Sequence, residues 1–312
     1  MDEVIIKSYK DLESECEKIF INQGKIWHLY TPGDSTEVLF RDDNDYVAVM
    51  NMVAISAFDT PNVRILTFEV MSNHFHFIIT GEREPVLDFF EILKRRISRY
   101  IANSGRYTKV LSLEPGLKLV PDMKTVRVVI PYVNRNAFVV SRNVTPFSYP
   151  WGANMYYYNP VTRLQERTYF SQLNQKRKRE ICRSHKCNYP DDWYITNGYI
   201  SPLCYCDINT GERLFRTAHH YFSFVSKPVE AYSEVAKDLG DKVFLTDDEV
   251  YLSISSVAYK KYGERNPMML GANQKMELAR TMHFDYFSSN KQIARILKLN
   301  INLLESMFPK VK

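Results

Sequence analysis

The apolar positions of this 312-residue chain change period several times before residue 140, and each change predicts an element. Gly24 to Thr31 reads as a first strand, closed by Pro32-Gly33-Asp34. Phe40 to Asp45 supplies capping side chains ahead of Tyr46 to Phe58, whose apolar residues recur at helical spacing. Val63 to Val70 and His74 to Thr80 read as two strands joined at Met71-Ser72-Asn73. Leu87 to Ala102 is amphipathic: Leu87, Phe90, Leu93 and Ile97 form one stripe, while Lys94, Arg95, Arg96 and Arg99 cover much of the rest. A short strand, Leu117 to Pro121, precedes a helix from Met123 to Asn136, capped by Asp122 and interrupted at Pro131. This order predicts an α+β fold, an antiparallel sheet with helices packed on one face. Pro146 to Tyr158, with Pro150, Trp151 and Gly152, reads as an extended seam closing that unit.

Past residue 160 the pattern turns helical. Tyr169 to Cys182, Lys227 to Leu239, Val250 to Tyr262, Gln274 to Phe287, Asn290 to Leu297 and Ile301 to Phe308 are the predicted helices. The chain therefore divides into a sheet domain, residues 1–158, and a helical domain, residues 159–312. Residues 274–308 have a helix-turn-helix rhythm, with Ser289 or Asn290 as cap, Leu299-Asn300 as turn and Ile301 to Met307 as second helix. That second helix carries Asn302 and Glu305 but no arginine, so Lys291, Arg295 and Lys298 are the expected phosphate contacts to duplex DNA. A small bundle without DNA contact is the plain alternative. Residues 160–245 suggest no function.

Composition narrows the class. Hydrophobic content of 45% and charge of 25% suit a soluble globular protein, and no window holds the ~20 apolar residues of a membrane helix. Met1 to Ile21 carries Asp2, Glu3, Asp11, Glu13, Glu15 and Glu17 and no signal core, which predicts a cytoplasmic address. The net charge is only +5, yet the cations cluster: Lys94, Arg95, Arg96, Arg99, Arg106 and Lys109, then Lys176 to Arg179. Local fields of this kind steer polyanions, although a solvated helix face gives the same pattern. Of the five cysteines, Cys182, Cys187, Cys204 and Cys206 lie near His185, but their spacings do not match zinc-knuckle patterns and favour reduced thiols.

The chemistry centres on His74-Phe75-His76. On a strand, residues two apart point the same way, so the two imidazoles share a face while Phe75 and Phe77 pack the other. Tyr132 and Asn136, four apart on the predicted helix, also share a face. Two imidazoles and a carboxamide oxygen would hold Mg²⁺ or Mn²⁺ with positions left for a scissile phosphate, and Tyr132 would attack it to form a phosphotyrosine. Tyr156-Tyr157-Tyr158 is a rival nucleophile cluster without a ligand at helical spacing. An unrelated metalloenzyme would complete the pair with a carboxylate, but Glu69, five residues before His74 on the alternating strand, faces away from the histidines' side, which weakens that reading.

Trp27-His28-Leu29-Tyr30-Thr31, Val38 to Tyr46, Val70-Met71-Ser72-Asn73-His74-Phe75-His76, Tyr132 to Val140 and Ser148-Tyr149-Pro150-Trp151-Gly152 together resemble the REP-associated tyrosine transposases, a branch of the single-tyrosine HUH transposases. The resemblance covers residues 24–155. It implies a ferredoxin-like catalytic domain that binds hairpin-forming single-stranded DNA, nicks it and rejoins ends through a 5′-phosphotyrosine, as a monomer or homodimer. It further implies His74, His76 and Asn136 as metal ligands, Tyr132 as nucleophile, and the helix bearing Lys94, Arg95, Arg96 and Arg99 as a DNA-backbone contact, with Arg106 beyond it. The chain departs from the family at Ala137, where proline is usual, at Asn134, where histidine is frequent, and at Pro131. A domesticated DNA- or RNA-binding module without catalysis is the alternative reading.

Overall fold

In the computed structural model, which describes residues 8–31, 38–106, 110, 113–136, 148–226, 247–286 and 288–309, contacts divide the chain into two compact units. One comprises Met1–Arg135 with Thr145–Val225, the other Asn136–Val144 with Ser226–Lys312. The fold is mixed α+β, mostly helical, and no described helix is long and apolar enough to cross a membrane.

The first unit is built on a four-stranded antiparallel sheet of β1 (Ile26–Tyr30), β2 (Arg64–Val70), β3 (Phe75–Thr80) and β4 (Gly116–Val120), in the order β2-β3-β1-β4. Helix α1 (Tyr9–Asn22) precedes it, opened by a reciprocal Ser8–Asp11 capping box. Helix α2 (Asp43–Asp59) connects β1 to β2, and α3 (Arg83–Asn103) connects β3 to β4. The alternation of β3 sends Phe75 and Phe77 onto α3, where they meet Phe90 and Phe89 at ring distances of 6.2 and 5.2 Å. Arg96–Asp59 and Tyr100–Asp45 tie α3 alongside α2.

Helix α4 (Met123–Arg135) lies against the opposite face, which corrects the expectation that all helices share one side. Its stripe of Val126, Val129, Ile130 and Val133 is fully buried. The period of about 100° per residue places Tyr132 and Asn134 on opposite flanks of Val133. Pro131 does not interrupt this helix, which runs through it to Arg135. Along the free edge of β2, the seam pairs by backbone: the Val70 N–H donates to Trp151 C=O at 2.9 Å, and the Ala153 N–H to Phe68 C=O at 2.9 Å.

Residues 148–225 belong to this unit rather than to a separate helical one. The predicted helix Tyr169 to Cys182 is instead a short strand β5 (Thr168–Tyr169), a 3₁₀ turn, and α5 (Gln175–Cys182), because Asn174 caps the Arg177 N–H and restarts the helix there. β5 pairs with β6 (Tyr194–Thr196) and β7 (Tyr199–Ile200), and α6 (Ile208–Arg213) and α7 (Ala218–Val225) follow. A core of Phe170, Ile181, Cys182, Cys187, Trp193 and Ile200 packs on Ala54 and Ile55 of α2. All five cysteines are free thiols.

The second unit contains α8 (Asp247–Tyr262), α9 (Ala272–Phe284), α10 (Asn290–Leu297) and α11 (Ile301–Met307). Ser289 caps α10 and Asn300 caps α11, with Lys298 in the left-handed conformation at φ 53° between them. Ile293, Leu297, Leu278, Met282 and Leu304 form its core. The predicted helix Lys227 to Leu239, Lys109 and Ala137 lie outside the described residues.

Candidate functional site

The hairpin turn at Ser72-Asn73 sets the site. The Met71 N–H donates to the His74 carbonyl at 2.8 Å, so His74 closes the turn just ahead of β3 rather than lying within it. The rings of His74 and His76 stand 5.1 Å apart at 89°. Asn73 Oδ1 lies 2.8 Å from His74 Nδ1; as an oxygen only accepts, Nδ1 carries the proton and Nε2 the lone pair.

A third histidine, absent from the sequence-based site, completes the cluster. β1 runs beside β3 in the register His28↔Ile78 and Tyr30↔His76, bringing His28 and Tyr30 onto the histidine face. His28 Nε2 is 3.1 Å from His76 Nδ1, a bond that fixes both rings and leaves His76 Nε2 to act as donor when Nδ1 holds the proton. The signal was His28 itself, two positions before Tyr30 on an alternating strand, but the place of β1 between β3 and β4 was not readable from one sequence. Burial pushes His76 down to about 3, and burial, then the nearby His76 and Lys118, push His28 well below the ordinary histidine range. Both rings are therefore neutral at pH 7, the form that donates to a metal. Tyr30 stacks on His28 at 4.9 Å and lies over β4, where a Cβ on Gly116 would come within 2.2 Å of the Tyr30 ring.

Tyr132 enters from α4. Its ring meets His76 edge-on at 5.8 Å and His28 at 6.0 Å, and it is 4% exposed. Asn134, on the other flank, accepts from the Thr67 hydroxyl and donates to the Tyr221 hydroxyl at 2.8 Å, and so holds α4 to β2 and α7. Asn136 directly follows α4, is buried, and its Nδ2 has no hydrogen-bond partner. The structure thus brings His74, His76 and Tyr132 together; Asn136 falls to the second unit, and for it the structure gives burial alone.

Glu69 requires a correction. The register pairs Glu69 with His76, and directly opposed residues of an antiparallel pair share a face, so Glu69 lies on the histidine side. The two-residue turn reverses the parity that a continuous strand would keep. Even so, among the described residues no three His, Cys, Asp or Glu side chains are arranged to hold a metal, which also applies to the cysteines around His185. Imidazole nitrogens suit a borderline divalent ion, and His74 and His76 bring two of them side by side.

Two of the rival tyrosines are occupied, Tyr157 donating to Leu66 C=O at 2.8 Å and Tyr158 to Glu212 C=O at 2.5 Å; Tyr156 is buried, and its hydroxyl has no hydrogen-bond partner among the described residues. The basic helix divides. Lys94 is buried, bonded to Leu113 C=O and Glu91, and Arg96 pairs with Asp59 at 2.5 Å. Arg106 makes a two-pronged pair with Asp45, whereas Arg95 and Arg99 are exposed. All four helix residues sit on α3, across the sheet from Tyr132. In the second unit Lys291, Arg295 and Lys298 are exposed.

Compared with protein-family models, with curated proteins and with solved structures, the chain matches none.

Proposed function

We propose that this chain is a transposase-like, HUH-type enzyme that nicks and rejoins hairpin-forming single-stranded DNA through a 5′-phosphotyrosine at Tyr132. The observation that carries the reading is the edge-on packing of Tyr132 against His76, 5.8 Å apart, from elements distant in sequence. The antiparallel order β2-β3-β1-β4, with α2 and α3 as its crossings, supports a ferredoxin-like catalytic domain. His74, His76 and Asn136 are the donors for Mg²⁺ or Mn²⁺, which when bound would polarise the scissile phosphate.

The chain's own residues do the rest. Asn73 and His28 hold the two imidazoles in place. The Tyr132 oxygen attacks phosphorus, the bond to the 3′ oxygen breaks, and that oxygen leaves as a hydroxyl carrying a proton. Joining reverses the step, with a 3′ hydroxyl attacking the phosphotyrosine, so no ATP is consumed.

A non-cleaving DNA- or RNA-binding module is the second reading, favoured by the burial of Tyr132 and His76, 4% and 2% exposed. Incubation with labelled hairpin DNA and Mn²⁺ or Mg²⁺ separates the two. A denaturation-resistant protein–DNA adduct, lost in Tyr132→Phe, supports the enzyme; binding without adduct under either ion supports the module.

A further inference from the structure

A cleft of about 170 Å³ lies between α3 and the end of α5. Arg96, Arg99, Tyr100 and Asn103 line it from one stripe of α3, at the i, i+3, i+4, i+7 spacing of a single helix face. Arg183 faces them from the residue that closes α5. Arg183 occupies the left-handed region at φ 47°, a position that favours glycine, and its guanidinium rests 4.5 Å from the centre of the Tyr100 ring. That ring is itself fixed, because its hydroxyl donates to Asp45 at 2.7 Å.

The charge in the cleft is not balanced. Asp59 is 2.5 Å from Arg96 but is shared with Lys186 at 3.0 Å. Among the described residues Arg99 and Arg183 have no carboxylate partner. Cys182 in the wall adds no negative charge, since burial pushes its thiol up to about 12. Exposed Lys176 and Arg179 on α5 extend the positive field outward. Planar guanidinium groups converging on a pocket suit phosphate oxygens better than a point-charge ammonium would.

We propose that this cleft is a phosphate subsite that takes a backbone phosphodiester of single-stranded DNA, on the α3 side of the sheet and therefore across it from Tyr132. The α3 face lies within the stretch that resembles the transposases, but Arg183 and α5 lie outside it, so the closed cleft, as distinct from the helix face, is a feature of this chain's own central segment. The choice of DNA rests on the function proposed above; the cleft itself does not.

The test compares the full chain with Arg99→Gln/Arg183→Gln, and with Lys10→Gln/Lys18→Gln, which removes the same charge from exposed positions on α1. Affinity for a labelled single-stranded oligonucleotide is read by anisotropy across a salt series. The cleft variant is expected to flatten the slope of log K against log salt by roughly 1.4 and to bind roughly twenty-fold more weakly at 0.1 M salt. The α1 variant is expected to keep the wild-type slope. No binding by wild type, unchanged affinity and slope in the cleft variant, or equal losses in both variants would overturn the proposal. Loss of inorganic phosphate binding, read by phosphorus NMR, with DNA affinity intact would assign the cleft to a free anion and overturn the DNA assignment. Adduct formation by the wild-type chain tests the catalytic reading separately: DNA binding without an adduct would overturn that reading and leave the cleft assignment standing.

Discussion

Replacing Arg106 by alanine should destabilise the first unit rather than simply weaken DNA binding. Arg106 Nη1 and Nη2 each donate to Asp45 at 2.8 Å, and Nη1 also reaches the Leu39 carbonyl at 3.3 Å. Only 7% of the Asp45 side chain and 15% of the Arg106 side chain are exposed. Breaking a buried pair from one side costs about 3–5 kcal/mol because the remaining charge is stranded. Asp45 keeps two donors, the Tyr100 hydroxyl at 2.7 Å and the Arg41 N–H at 2.9 Å, which points to the lower end, about 3 kcal/mol. All three tryptophans, Trp27, Trp151 and Trp193, lie in this unit, so their fluorescence during urea unfolding reports on it. The midpoint should fall by roughly 1–2 M with the slope unchanged. The effect also has a pH signature. Burial alone would push the Asp45 carboxyl up, but Arg106, Tyr100 and the Arg41 N–H outweigh it and hold the group below its ordinary value. A carboxyl depressed in the folded state adds stability above its unfolded pKa of about 3.9 and loses it as pH falls through the folded one. The gap between wild type and Arg106→Ala should therefore close below about pH 3.9. A loss under about 1 kcal/mol at pH 7, of the size seen for exposed pairs, would refute the reasoning.

Asn134→Ala should cost about 1–3 kcal/mol, because the buried Thr67 hydroxyl loses its acceptor and the Tyr221 hydroxyl loses a donor. Asn136→Ala should cost under about 1 kcal/mol, since its Nδ2 has no partner to strand, but should weaken Mn²⁺ binding in calorimetry. Equal stability losses in the two variants would contradict this division of labour. His28→Phe keeps the ring stack and removes the bond to His76, so Mn²⁺ affinity should fall about 10–100-fold while the protein stays folded; unchanged affinity would show that His76 needs no such support. Gly116→Ala places a Cβ 2.2 Å from the Tyr30 ring and should cost about 1–3 kcal/mol, with a near-ultraviolet circular dichroism change as the ring moves.

Local signals in the sequence were read well where side chains repeat. The Phe75/Phe77 alternation fixed which face of β3 meets α3. What failed depended on pairings between segments. Glu69 was assigned to the wrong face because parity reverses at a two-residue turn, and His28 was missed because strand order decides its neighbour. Lys94, Arg96 and Arg106 pair with Glu91, Asp59 and Asp45, and for the last two only the packing of α3 against α2 brings the carboxylate within reach. Pro131 suggested a break, yet the buried Val129, Ile130 and Val133 stripe carries the helix through it. Helix α1 buries only Cys16, so its apolar pattern gave no warning of it.

The most direct test of the central claim is the identity of the residue that becomes linked to DNA. Hairpin DNA and Mn²⁺ are incubated with the full chain, the adduct is digested with nuclease and protease, and the modified peptide is sequenced by mass spectrometry. A 5′-nucleotide on Tyr132 is the predicted result. Linkage at Tyr156, Tyr157 or Tyr158, or no linked peptide under either Mn²⁺ or Mg²⁺, would contradict it.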